Sequence, residues 1–278
     1  MDDLNPTRAQ TPADGHFSGN VDIGEGKSFH LACVGSGSPT VILVHAFGGW
    51  TADWGPVLDL MDGVTHACAV DRIGSGHSSP ANEDRTTSAI VDDLHTLLDV
   101  AGIATPVVLV GHSIAGFDLR LHAGRYPDDV AGMVFVDPSS VGQLAVMQAA
   151  LAPSSRTEQD PIPDDLRTMI EADWPAPSTI PERYDIAASE ADVAAVTSFG
   201  NTPVIVLSAG SSVWPTRSAL EDAWFALHDE LVGMSSNGRR EVVLDAGHYI
   251  QIDRPDAVVE AIAELVKVAR PVDRDLPG

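Results

Sequence analysis

The chain has 278 residues, 44% apolar and 20% charged, which suits one large domain with a full core and excludes a collagenous or disordered composition. Its 40 Asp and Glu against 16 Lys and Arg give a formal charge of −24, and that field repels nucleic acids and anionic membranes. No run of about 18 apolar residues is long enough for a membrane span, and residues 1–18 read as a polar tail without the features of a secretory signal, so a cytoplasmic location is expected.

Periodicity and turn residues then lay out an alternation along the chain. A strand is expected at 28–34 and a second at 40–45, where Val41, Ile42, Leu43 and Val44 run into a loop carrying Ala46, Phe47, Gly48 and Gly49. After a helix near 52–61, a third strand at 65–71 ends in Asp71 and Arg72, followed by Gly74, Gly76 and Ser78. Those two glycines lack the rest of a dinucleotide fingerprint and read as a turn. A helix near 85–101, carrying His95 as an ordinary helix residue, leads to a strand at 106–111 and a helix near 114–126 that carries His122. A strand at 131–136 follows. Residues 139–201 break the alternation with short helical pieces and a Pro-rich stretch at 153–163. The pattern resumes with strands at 203–208 and 240–244 and helices near 216–232 and 256–269. Alternation of this kind implies a mostly parallel sheet covered on both faces.

The chemistry concentrates where the strand at 106–111 meets its helix. Val107, Val108, Leu109 and Val110 run into Gly111, His112 and Ser113, with Ala115 and Gly116 just beyond. A serine at a sharp strand-to-helix turn is held in a strained conformation that lifts its hydroxyl above the sheet edge, and small neighbours let strand and helix approach. The fifth position of G-x-S-x-G is Ala115 here, with glycine one place later. A serine hydroxyl needs an oriented base. His248, released by Gly247 in the loop after the last strand and just ahead of the terminal helix, is the candidate.

With Ser113 and His248 together, the chain resembles the α/β-hydrolase superfamily over nearly all its length. The segment Val41 to Gly49 is similar to the strand and loop that supply the oxyanion hole. Asp71, Gly74, Gly76 and Ser78 are similar to the family's Asp-x-x-G-x-G-x-S turn. Asp71-Arg72, Gly111-His112-Ser113 and Gly247-His248 look most like hydrolases of the proline-iminopeptidase and esterase kind. The resemblance implies an α/β fold with a mostly parallel eight-stranded twisted sheet, helices on both faces, and a small helical cap. The core then takes residues 19–138 and 202–278 and the cap 139–201, in which Met147, Trp174 and Tyr184 are either pocket lining or cap core.

The resemblance also directs the search for an acid. Many members place it after the strand that follows the cap, but residues 203–215 hold no carboxylate there, and Glu221 and Asp222 lie farther on. Some members carry it on the neighbouring strand end, which here is Asp137 ahead of Pro138; the competing reading of that aspartate is a turn former. The expected triad is therefore Ser113, His248 and Asp137. The backbone N–H groups of Ile114 and Phe47 form the expected oxyanion hole, although Ala46 stands where glycine is usual. Cys33 and Cys68 fall on strands that the family order makes neighbours, so a bridge is geometrically open, but reduced core thiols are expected in a cytoplasmic protein.

The function implied is hydrolysis of a carboxylic ester or lactone of a small, largely apolar molecule through an acyl-enzyme, without metal or cofactor. The expected partner is that small molecule, with no nucleic acid and no membrane, and the chain acting as a monomer or homodimer. Three rivals stand beside it. An amidase or aminopeptidase would use the same triad and an acidic anchor from Asp185, Glu190 and Asp192. The fold also serves non-hydrolytic enzymes and binding proteins with little turnover.

Overall fold

Five strands are short aliphatic runs that bury both faces: β3 (Val41–Val44), β4 (Ala67–Val70), β5 (Val107–His112), β6 (Val130–Val136) and β7 (Val204–Ala209). Such runs are stable only under two layers of helix. The computed structural model describes residues 16–151, 175–210 and 219–270. It adds β1 (Phe17–Gly24), β2 (Lys27–Val34) and β8 (Gly238–Val243) to complete one sheet of order β1-β2-β4-β3-β5-β6-β7-β8. β2 pairs antiparallel with both β1 and β4, and the remaining pairs are parallel.

Alternation within each strand divides the core. Ile42, Val44 and Leu109 face one way, against Leu94, Leu97 and Leu98 of α2 (Thr87–Ala101) and Leu119 of α3 (Ala115–Arg125). Val41, Leu43 and Val108 face the other way, against Val57 of α1 (Gly55–Leu58) and Val258, Ile262 and Leu265 of the last helix, Pro255–Ala269. The excursion between β6 and β7 contributes α4 (Gln143–Leu151), a 3-10 turn at Pro177–Thr179 and α5 (Ile186–Ala194). A third cluster, with Ile90, Ile114, Phe117, Tyr184, Ile186 and Val193, seats that excursion on α2 and α3. Two more helices, α6 (Ala219–Gly233) and the short α7 (Ile250–Asp253), precede the terminal α8 (Pro255–Ala269).

Several sequence expectations change here. The edge strand β1 was not anticipated, and it begins inside the stretch expected to be tail; along it only Val21 is fully buried, too thin an apolar stripe to register. The helix near 52–61 resolves into a 3-10 turn, Thr51–Trp54, and the single turn α1. The start of the helix expected at 216, the Pro-rich stretch 153–163 and Trp174 lie outside the described residues. The cysteines need the plainest correction. Cys33 and Cys68 are joined in a disulfide, not reduced. They sit directly opposite each other on β2 and β4 with Cα atoms 4.0 Å apart, the narrow spacing of a non-hydrogen-bonded antiparallel pair, which brings the two sulfurs together.

Candidate active site

Ser113 sits between β5 and α3 with φ +55°, a left-handed conformation that a non-glycine residue holds at a cost of about 1–3 kcal/mol. Three backbone bonds hold it there. Its N–H donates to Val136 O at 3.1 Å, and its own carbonyl accepts from Gly116 at 2.9 Å and Ser139 at 2.8 Å. The displaced glycine now has a reason. A Cβ at position 116 would lie 2.7 Å from Ser139 O and 3.0 Å from Pro138 Cβ, whereas the Ala115 methyl is accommodated in the core. At Gly111 a Cβ would meet Leu119 at 2.8 Å. The elbow thus demands glycine at 116, where helix and the 138–139 backbone converge, while at 111 a side chain would have to displace the tip of Leu119.

The end of the adjacent strand supplies a carboxylate. Asp137, itself at φ +41°, is buried, and its Oδ2 lies 2.6 Å from His248 Nδ1. Its Oδ1 accepts from Ala209 N at 3.0 Å and from Trp224 Nε1 at 3.1 Å. Burial alone would raise this carboxyl. The hydrogen bond to His248, the nearby His228 and His248 and the Ala209 amide outweigh it and hold the carboxyl below its ordinary range. An ionised Asp137 accepts a hydrogen bond from Nδ1–H, leaving His248 Nε2 as the ring's proton acceptor.

Two further histidines brace this pair, and the sequence reading had passed over both. His112, directly before Ser113, donates from Nε2 to the His248 carbonyl at 2.9 Å and accepts at Nδ1 from Gln251 at 2.9 Å. Its ring centroid is 4.7 Å from that of His248. Burial, with the nearby His248, pulls its pKa down to about 3. His228 donates from Nε2 to Pro138 O at 3.1 Å and accepts at Nδ1 from Ser208 Oγ at 2.7 Å, and burial lowers it to about 4. Each ring has one donating and one accepting nitrogen, so each is a fixed neutral tautomer.

The loop after β3 carries the expected second oxyanion donor. Its amides are committed one after another. Gly48 N–H donates to Glu182 Oε1 at 2.8 Å, Gly49 to Ala46 O at 3.1 Å, Trp50 to Asp53 Oδ2 at 3.2 Å, and Thr51 to Asp71 Oδ1 at 2.6 Å. Phe47 N–H makes no hydrogen bond among the described residues, and neither does Ile114 N–H. Below the loop lies Arg72, fully buried, with Nη1 donating to His45 O at 2.7 Å and Nη2 to Ala46 O at 2.7 Å. Nε donates to Glu182 Oε2 at 3.0 Å, and Nη1 also reaches Asp118 Oδ2 at 3.2 Å. Asp118 accepts in addition from Tyr184 Oη at 2.8 Å, which makes Tyr184 a polar-tipped core residue of the excursion. Met147 is likewise buried. A groove of about 500 Å³ opens beside this loop, lined by Gly48, Trp50, His77, Pro181 and Glu182; none of Ser113, Asp137 and His248 lines it.

The carboxylates considered for an amine anchor have other partners. Asp185 caps α5 by accepting from Ala188 N at 2.9 Å, and Glu190 accepts from Gly142 N at 3.2 Å, while Asp192 is exposed. Among the described residues, one group brings metal-ligating atoms together: Cys33, His66 and Cys68, within 4.8 Å of one another. Its two sulfurs are consumed by the disulfide. No helix among the described residues is long and apolar enough to cross a membrane.

The sequence profile of the alpha/beta hydrolase family matches residues 41–261. The chain belongs to that family. Within reach of this α/β hydrolase is the uncharacterized protein YqjL of Bacillus subtilis, 26% identical over 87% of this chain and 89% of its own length. Lipase 3 of a Moraxella species is 30% identical over 40% of this chain and 35% of the lipase. Among solved structures, a thermophilic esterase from Thermogutta terrifontis superposes with a TM-score of 0.60 at 20% identity, covering 88% of this α/β hydrolase and 95% of the esterase; at that identity the likeness concerns the fold.

Proposed function

We propose that this α/β hydrolase is a serine esterase that cleaves a carboxylic ester or lactone of a small, largely apolar molecule through an acyl-enzyme. One observation carries the reading: Asp137 Oδ2 at 2.6 Å from His248 Nδ1, with the His248 carbonyl tied to His112, the residue before a serine held at φ +55°. Ser113 Oγ attacks the carbonyl carbon while His248 Nε2 takes its proton. The C–O bond to the leaving alcohol breaks as the imidazolium returns that proton to it. Water then repeats the sequence on the acyl-serine, releasing the acid and free enzyme. Through both steps Asp137 stays ionised and stabilises the imidazolium. The N–H groups of Ile114 and Phe47, without partners among the described residues, are the donors offered to the developing oxyanion. The lipase and esterase named above are in keeping with ester chemistry.

The test is Ser113→Ala. It is expected to fold, to lose turnover of p-nitrophenyl esters by at least about 10⁴-fold, and to lose labelling by a fluorophosphonate probe. A wild-type chain that folds yet neither turns over esters and lactones nor takes the probe would make it a binding protein instead. Near-wild-type turnover by the Ala variant would remove Ser113 from the mechanism.

A further inference from the structure

The excursion between β6 and β7 would ordinarily be given the task of choosing the substrate. Glu182, which it delivers, has a different set of contacts. Oε1 accepts the Gly48 N–H at 2.8 Å. Oε2 takes Arg72 Nε and Nη2, each at 3.0 Å. Arg72 in turn grips the His45 and Ala46 carbonyls, each at 2.7 Å. Positions 45, 46 and 48, on both sides of Phe47, are therefore fixed by one carboxylate–guanidinium pair whose members lie 110 residues apart in the chain. The pair is buried, with side chains 3% and 2% exposed, so it is only weakly screened and geometrically exact in a way a surface pair is not.

The turn after β4 is shaped to admit this carboxylate. At Gly74, φ is +89° and a Cβ would come within 2.5 Å of Glu182 Cα and 2.5 Å of Pro181 O. Glycine at 74 is what allows the 181–182 backbone to approach closely enough for Glu182 to reach the loop.

We propose that Glu182 is a positioning residue of the oxyanion loop: by holding the Gly48 amide and Arg72 together it keeps the neighbouring Phe47 N–H free and fixed for the reacting oxygen. The excursion between β6 and β7 thereby completes the catalytic apparatus. The proposal rests on the serine-esterase reading above. A donor fixed in advance stabilises charge that exists only in the transition state, so its loss falls on kcat and not on KM.

The experiment compares Glu182→Ala and Glu182→Gln with wild type on a p-nitrophenyl ester and on an alkyl trifluoromethyl ketone, whose hemiketal oxyanion occupies the hole. Glu182→Ala is expected to lower kcat about 10²-fold with KM within about threefold, because misplacing a catalytic donor by an ångström costs this much. Affinity for the ketone is expected to fall by the same factor as kcat/KM. Glu182→Gln, which keeps one oxygen for the Gly48 N–H, is expected to recover part of the loss. A raised KM with unchanged kcat, or ketone affinity that holds while kcat/KM drops, would overturn the proposal and leave Glu182 a structural anchor. Hydrogen exchange of the wild-type Gly48 amide tests the contact without any variant: protection like that of the buried strands is expected, and exchange at open-loop rates overturns it. Ser113→Ala, run in parallel, separates the two readings. Turnover that survives in Ser113→Ala overturns both, whereas an inactive Ser113→Ala beside a fully active Glu182→Ala overturns this one alone.

Discussion

Lowering the pH from about 7 to 5 is expected to cost this fold much of its stability, before the carboxylates are protonated in bulk. The reason is the set of histidines that fold as neutral rings. His112 is held at about 3, His122 at about 4 and His228 at about 4, in each case chiefly by burial, against an ordinary value of 6.5. His45 is also pushed well below that value, by burial and then by the Arg72 charge. Its Nε2 accepts the Arg72 backbone N–H at 3.1 Å, so protonation would break that bond as well. Unfolded, all four rings take up a proton as the pH drops through about 6.5, and folded they do not. The unfolded chain then binds more protons, and stability falls with falling pH. For a ring with those values the loss between pH 7 and 5 is roughly 2 kcal/mol, or roughly 5 kcal/mol for His112, His122 and His228 together, with His45 adding in the same direction. Asp118 opposes them. Burial, resisted by Arg72 and Tyr184, raises its carboxyl to about 6, so the folded chain gains a proton there and recovers roughly 1 kcal/mol. The net loss, roughly 4 kcal/mol, is a large part of the 5–15 kcal/mol typical of a folded domain. Urea titrations at a series of pH values, at high salt to screen the acidic surface, measure it directly. A denaturation midpoint that stays flat from pH 7 to 5, or any of these rings titrating near 6.5 in folded-state NMR spectra, would refute the reasoning.

Three further outcomes are expected. Asp137→Asn should fold and lose roughly 10²–10⁴ in kcat, since an amide favours the wrong imidazole tautomer at His248; undiminished ester turnover would reassign the acid. Gly116→Ala drives a methyl to 2.7 Å from Ser139 O and is expected to cost about 1–3 kcal/mol in denaturant and to slow turnover as the elbow shifts; a wild-type midpoint would show that the 138–139 backbone yields freely. Replacing Cys33 and Cys68 together by alanine opens a cross-link between residues 35 apart and is expected to lower stability by about 3–4 kcal/mol on the chain-entropy account. Thiol counting by mass spectrometry checks the bridge itself, and its persistence in cells would favour an oxidising compartment over the expected cytoplasm.

The alternation of strands and helices was legible because the central strands are unbroken aliphatic runs, and the serine turn because small residues at 111, 115 and 116 mark where strand and helix pack closely. Asp137 and His248 could be paired on paper because residues 203–215 offer no competing carboxylate. Other features depend on contacts that the local sequence does not announce. β1 carries a single fully buried side chain. The disulfide depends on register across β2 and β4, which a default assumption about compartment overrode. The commitment of the Gly48 amide was invisible because Glu182 comes from 134 residues beyond it. The roles of His112 and His228 depend on Gln251, Ser208 and two carbonyls that reach their rings from distant parts of the chain.

The root of the excursion has a bearing on recombination between family members. Asp137 binds His248, the Pro138 carbonyl holds His228, and Ser139 bonds to the Ser113 carbonyl while packing on Gly116. Three successive residues at the root of the excursion thus hold the proposed triad and its braces in place. A graft that exchanges the excursion for another has to be cut after Ser139, and a junction even two residues earlier would transplant part of the proposed site's framework along with the excursion.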